Sequence, residues 1–240
     1  MRIIVCENYE EMSKVGAELY AKQMTEKPDS ILGLATGSTP VGLYKELIRM
    51  NQAGEIDFSQ ITSFNLDEYY PISPDNNQSY RYFMNENLFN HVNIDKSRTH
   101  VPSGMAEDAD AECKAYDAAL KAAGGVDIQL LGIGVNGHIA FNEPDEELIC
   151  GTHVTALTES TIEANSRFFA SRDEVPTRAL TMGMASILSA KKIVILANGK
   201  GKHPAVKKLL DDTITTQNPA TLLKVHPDVT LICDRAAYEG

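Results

Sequence analysis

The sequence predicts an α/β protein: a three-layer, Rossmann-like open sheet, mostly parallel, with helices on both faces. Three observations predict it. Short apolar, β-branched runs alternate with longer amphipathic stretches along the whole chain, the pattern of repeated strand–helix units. Most of these runs are apolar at successive positions rather than alternate ones, as strands covered on both faces are. The 240 residues are 43% hydrophobic and 23% charged, enough to bury one sizeable core. No repeat, low-complexity tract or linker interrupts them, so a single domain over residues 1–240 is expected.

The first strand is expected at Ile3–Cys6, followed by a helix on which Met12, Val15 and Leu19 recur at helical spacing. Ile31–Ala35 is the second strand. Thr39-Pro40 then sets a capping hydroxyl before a proline at the first helical position, and Leu43 and Leu47 mark the buried side of the helix it opens. The third strand is Ile61–Leu66. From Tyr69 to Asn93, turns at Pro71 and Pro74 precede a stretch with Tyr80, Phe83, Met84 and Leu88, either an insertion or lid or a helix packed on the sheet. A stripe of Ala109, Cys113, Tyr116 and Leu120 leads into a strand at Val126–Ile133. Ser160 to Glu163 has capping-box spacing, Ile193–Ala197 and Val229–Cys233 are the last strands, and Asn218-Pro219 repeats the cap-then-proline signal. Right-handed crossovers join the parallel strands.

The chain carries 22 Lys and Arg against 33 Asp and Glu, a net charge of −11, which disfavours nucleic-acid and anionic-membrane partners. An anionic ligand therefore needs a local basic pocket. The four cysteines lie far apart with no CxxC pair, so zinc-ribbon and dithiol readings lose their support and reduced core cysteines are expected. The apolar run after Arg2 is too short for a signal or membrane segment, and a cytoplasmic location is the default.

In an open α/β sheet ligands bind beyond the carboxyl ends of the strands, and four such ends carry unusual chemistry. Thr36-Gly37-Ser38-Thr39-Pro40 offers a glycine turn, hydroxyls and free N–H groups at a helix start: a phosphate cradle, or simply a hydroxyl-rich cap. It is neither a Walker A loop nor GxGxxG. Asp67-Glu68 puts two carboxylates at a strand end, either of them a potential general base, or else turn acids facing solvent. Asn136-Gly137 would swing His138 across the strand ends as an acid/base group, and Pro144 biases Glu143 to an extended backbone from which its carboxylate can turn back to the imidazole. Lys200 and Lys202 sit at a helix start, against the dipole's preference, which makes sense if an anion lies between them; a solvated basic loop is the alternative. Arg167, beside Phe168 and Phe169, suits bidentate phosphate binding or a surface ion pair. One histidine with scattered acids is a poor zinc set, so no metal is expected. The ligand is then a small phosphorylated metabolite undergoing proton transfers.

Leu34 to Pro40, Ser63 to Tyr69, Gly132 to Pro144 and Asn165 to Phe169, in order along nearly the whole chain, resemble the glucosamine-6-phosphate deaminase (isomerase) family. The resemblance implies a fold shared with 6-phosphogluconolactonase and ribose-5-phosphate isomerase, and conversion of D-glucosamine 6-phosphate and water to D-fructose 6-phosphate and ammonia without a cofactor. By position it implies that Asp67 removes the C2 proton, that His138 opens the pyranose ring with Asn136 and Glu143 as partners, and that Gly37, Ser38 and Thr39 hold the phosphate with Arg167 and Lys202.

Two positions depart from the family pattern: Asn136, where some members carry Asp, and Asp145, where glycine is common. The chain also ends soon after its last expected strand, from which the resemblance implies no strong activation by N-acetylglucosamine 6-phosphate. Two other readings remain. A 6-phosphogluconolactonase would share the Gly-rich His turn, but Leu66 to Tyr69 and Phe141 to Pro144 look like the deaminase. A non-catalytic sugar-phosphate sensor would need a DNA-binding segment, for which the strand starting at Ile3 leaves no room, and would not need both Asp67 and His138.

Overall fold

The computed structural model describes residues 1–166, 169 and 171–240, with the side chains at 160, 161, 164, 165 and 173 left aside. In chain order the elements are β1 (Arg2–Cys6), α1 (Tyr9–Glu26), β2 (Ile31–Leu34), α2 (Val41–Gln52), β3 (Thr62–Asn65), β4 (Asp67–Tyr70), α3 (Tyr80–Met84), β5 (Thr99–His100), α4 (Ala109–Ala122) and β6 (Ile128–Gly132). They continue with β7 (His153–Ala156), α5 (Glu159–Ser166), β8 (Arg178–Thr181), α6 (Met184–Leu188), β9 (Ile193–Ala197), α7 (His203–Leu210), β10 (Val229–Asp234) and α8 (Arg235–Glu239).

Seven strands form one sheet in the order β1-β10-β9-β6-β2-β3-β5, and every pairing in it is parallel. Strands β2, β6, β9 and β10 are buried almost throughout, which is why their sequences are unbroken apolar runs. The edge strand β1 departs from that pattern, with Ile3 and Val5 exposed. From β2 the chain winds outward through β3 to β5, then returns to β6 on the other side of β2 and winds the opposite way through β9 to β10. Right-handed crossovers put the connections of those two halves on opposite faces, so the predicted three-layer class stands. The winding reverses between β2 and β6, whose ladder pairs only Leu32 with Ile128 and Gly33 with Gln129. The two strands part before their carboxyl ends, and a crevice opens there.

A second sheet was not legible in the sequence. Strands β4, β8 and β7 pair antiparallel, with Asp67 opposite Thr181 and His153 opposite Thr181 on the other side. Leu66 is the corner between the sheets: its N–H bonds to Leu34 and its carbonyl accepts from Met182. A small apolar cluster of Tyr69, Ile72, Phe141, Leu157, Ile162, Val175 and Ala179 packs with this sheet, beside the main core.

Several local expectations are corrected. Thr39 does not cap α2: its hydroxyl donates to Asn198 Oδ1 at 3.0 Å, and Pro40 stands at the cap with no side-chain bond. Helix α5 begins at Glu159, ahead of the Ser160 cap expected. Asn218-Pro219 opens a 3₁₀ helix, Pro219–Val225, and the Asn218 side chain makes no capping bond. Cys6, Cys113 and Cys233 are buried free thiols, whereas Cys150 is exposed. The stretch after Pro74 is a packed helix rather than a detached lid, for Met84, Leu88 and Phe89 lie in the main core.

Candidate active site

The cleft at the winding reversal is about 310 Å³ and is lined by residues that follow four different strands. Thr36 to Thr39 come after β2, Asp67 after β3, Gly134 and His138 after β6, and Lys202 after β9. Gly37, Ser38, Thr39, Asp67, His138 and Lys202 therefore meet in one wall; Glu68, Asn136, Glu143 and Lys200 do not line it, and Arg167 lies outside the described residues.

Gly37 turns the chain with φ 95°, open to glycine without strain. Tyr44 Oη anchors the start of this turn, accepting from the Ala35 N–H at 3.1 Å and donating to the Ala35 carbonyl at 2.5 Å. Among the described residues the N–H groups of Gly37, Ser38 and Thr39 donate to no protein acceptor. Three free donors and an α-helix start on one turn suit an oxyanion. Lys202 supplies the positive charge, and burial pushes its ammonium below the ordinary lysine range, a cost that an anion beside it would offset.

Strand β4 sends its two acids to different places because side chains alternate along a strand. Asp67, 7% exposed, faces the cleft and accepts no hydrogen bond among the described residues. Burial, and then the neighbouring charge of Glu68, raise its carboxyl to about 8. Glu68 turns to the backbone instead, accepting the N–H groups of Tyr69 at 2.9 Å, Tyr80 at 2.8 Å and Arg81 at 2.9 Å. Burial raises it to about 7, against the lowering pull of those three donors. It fastens the start of α3, whose Tyr80 ring lies in the cleft wall parallel to Phe141, centroids 6.2 Å apart.

The His138 turn is closed by backbone bonds from Gly137 N–H to the Gly134 carbonyl and from Gly134 N–H to the His138 carbonyl, each 2.9 Å. Gly137 has φ 83°, and a Cβ there would lie 2.2 Å from the Asn218 side chain, so only glycine fits. Ala140, also in the cleft wall, holds φ 53°, a left-handed conformation that is costly for a residue with a Cβ. His138 Nδ1 lies 3.1 Å from Glu143 Oε1, an ion-pair distance without the alignment of a hydrogen bond. Asn136 donates from Nδ2 to Glu143 Oε2 at 2.6 Å and accepts the His138 N–H at 3.2 Å. Asn136 thus partners His138 through the histidine's main chain and aims the Glu143 carboxylate.

Residues 7–232 match the family described as glucosamine-6-phosphate isomerases/6-phosphogluconolactonase. The chain belongs to this family. A glucosamine-6-phosphate deaminase of Clostridium perfringens is 60% identical over 237 residues, covering 99% of this chain and 98% of its own. One from Thermoanaerobacter pseudethanolicus is 57% identical, covering 99% and 94%. A solved monomeric glucosamine-6-phosphate deaminase matches with TM-score 0.96 at 48% identity, covering 99% of this chain and 98% of that one. The 6-phosphogluconolactonase of Thermotoga maritima matches in fold, with TM-score 0.79 at 20% identity over 98% of this chain and 99% of its own.

For this member of the glucosamine-6-phosphate isomerase/6-phosphogluconolactonase family, sequence reasoning missed Tyr80, Ala140 and Phe141 as cleft residues, because their apolar spacing reads as core. It also missed Asn198, which ties the turn after β2 to the turn after β9. Among the described residues no group of three His, Cys, Asp or Glu side chains is placed to hold a metal, and no helix is long and apolar enough to cross a membrane.

Proposed function

We propose that this protein is a glucosamine-6-phosphate deaminase, a single catalytic unit over residues 1–240 that converts D-glucosamine 6-phosphate and water to D-fructose 6-phosphate and ammonia. The observation that carries the reading is the cleft, in which a buried carboxylate and a carboxylate-paired histidine share one wall with a turn of free N–H groups and a lysine. The likeness to deaminases over almost the whole of both chains supports it.

In this reading the phosphate rests on Gly37, Ser38 and Thr39, with Lys202 and Arg167 as its cations. Its binding energy holds the far end of the sugar against Asp67. His138 takes the proton from the C1 hydroxyl and returns one to the ring oxygen, opening the pyranose to the C1 aldehyde. Glu143, aimed by Asn136, stabilises the imidazolium formed on the way. Only then is the C2 proton acidic, since the C1 carbonyl oxygen can accept the electron pair. Asp67, in its ionised form, removes that proton to give an enolamine, and protonation at C1 leaves an imine at C2. Water adds to C2, the C–N bond breaks with transfer of a proton to nitrogen, and the ketose and ammonia depart. Atoms and electrons balance without an oxidant, so no redox cofactor enters. The cytoplasm is the compartment that fits, because a charged sugar phosphate does not cross a bilayer.

The test is release of ammonia and fructose 6-phosphate from glucosamine 6-phosphate, with 6-phosphogluconolactone in a parallel assay. Equal release of the two products is expected. Lactone hydrolysis with no deamination would refute the reading.

A further inference from the structure

We propose that Tyr9 is a positioning residue for phosphate binding: a brace on the turn Gly37–Thr39 that fixes the direction of its free N–H groups. The inference rests on the reading of that turn as the phosphate site. Tyr9 does not line the catalytic cleft; with Ser38 it borders a separate hollow between α1 and α2. Its phenol oxygen accepts the Gly42 N–H at 2.7 Å and donates to the Ser38 carbonyl at 3.1 Å.

Those two bonds occupy the place where a local cap is missing. Helix α2 starts at Pro40 without a side-chain cap, and Thr39, the residue fitted for that task, spends its hydroxyl on Asn198. The phenol from α1 caps α2 across the fold instead, satisfying one of the N–H groups left open in the first turn. The approach is close because position 42 is glycine: a Cβ there would lie 2.2 Å from Ser13 Oγ and 3.0 Å from Tyr9 Cε1. Tyr9 is the first residue of α1, and the cap of that helix, the Asn8 side chain accepting the Glu11 N–H at 2.9 Å, touches neither the phenol nor the turn.

The consequence for the ligand follows from peptide geometry. In a planar trans peptide the carbonyl and the next N–H point in opposite directions. Holding the Ser38 carbonyl towards α1 therefore aims the Thr39 N–H away from α1, and Thr39 lines the cleft with its N–H unclaimed. Phenylalanine at position 9 keeps the ring and loses the brace, leaving the Ser38 carbonyl only the longer bond from the Val41 N–H at 3.4 Å, so the plane between Ser38 and Thr39 is held more loosely.

The experiment measures inorganic phosphate binding by calorimetry, and kcat and KM for glucosamine 6-phosphate, in the unaltered protein, Tyr9→Phe and Asn8→Ala. Loss of one such bond corresponds to about a threefold to tenfold rise in the phosphate Kd of Tyr9→Phe. KM should rise by the same factor with kcat within about twofold, as for an interaction equal in ground and transition states. Asn8→Ala weakens the start of α1 without touching the turn, and should lower Tm while leaving the phosphate Kd unchanged. An unchanged Kd in Tyr9→Phe overturns the proposal, as does an equal weakening in Asn8→Ala or a failure of the unaltered protein to bind phosphate. A weaker phosphate Kd in Tyr9→Phe from a protein that does not deaminate would sustain the brace and discard the deaminase reading.

Discussion

Asp67 and His138 owe their chemistry to opposite surroundings. Asp67 is sealed among apolar neighbours beside a second acid, and so holds its proton up to about 8, whereas His138 is partly open and faces one carboxylate 3.1 Å away. Replacing His138 by alanine leaves the backbone turn intact, since that turn is closed by main-chain bonds and by Gly137. We expect His138→Ala to keep its Tm and lose about 10²–10⁴-fold in kcat, the usual worth of a positioned acid/base group. Steady-state kinetics with a thermal melt of the same sample decides it; near-normal turnover would remove His138 from the mechanism. His138 and Glu143 were legible because Asn136-Gly137 and Pro144 dictate the backbone around them. Between Asp67 and Glu68 the residues alone left the choice open and only the resemblance named Asp67, because strand alternation settles which acid faces the cleft only once β4 is known to exist. Asn136 was named as a partner of His138 and not by its contacts, since a turn sequence does not say which groups an amide will reach.

At the scale of elements, the main sheet was readable because its strands are apolar at successive positions, and each observed strand overlaps an expected one except β5. The second sheet was not. Asp-Glu-Tyr-Tyr, His-Val-Thr-Ala and Arg-Ala-Leu-Thr are four-residue strands with no apolar run, and the one alternation among them, His-Val-Thr-Ala, is too short to mark a strand. The His138 turn depends on a contact equally hidden from sequence, that between Gly137 and the residues on either side of Pro219. The Gly137 carbonyl accepts the Ala220 N–H at 2.8 Å, and Asn218 packs where a Cβ would stand. Gly137→Ala should therefore cost about 1–3 kcal/mol in stability, from strain at positive φ and from displacement of Asn218. Urea unfolding gives the cost, and a change under half a kcal/mol would show that the turn relaxes freely.

Across the whole molecule the buried acid pair sets a pH dependence of stability. Asp67 and Glu68 rise from ordinary values of 3.8 and 4.5 to about 8 and about 7 in the folded protein, burial being the leading cause for both. Between those limits the folded state holds protons that the unfolded chain has released. Stability is therefore highest below about pH 4 as far as this pair is concerned, falls as pH rises, and levels out above about pH 8. The slope is at most about 1.4 kcal/mol per pH unit for each proton so held. Asp57, Asp95 and Asp127, whose carboxyls are lowered by hydrogen bonds from their neighbours, are ionised in both states above pH 5 and add no opposing slope there; His100, lowered by burial and by Arg81, contributes one opposing proton against the two of the acid pair. The urea midpoint should fall between pH 5 and pH 8, and the fall should flatten in Asp67→Asn. A midpoint that climbs over that range would contradict the burial of the pair.

The bond between Thr39 and Asn198 joins residues 159 positions apart, and the wall of the cleft draws on segments from Ala35 to Lys202. No fragment of the growing chain can thus assemble the centre. During synthesis the cradle and the base emerge well before the lysine, and they stay without a counterpart until the last strands dock on β6. Closing such distant contacts is slow compared with forming helices, so the centre is completed only after its long-range contacts have formed. Catalytic competence therefore depends on contacts that span most of the chain.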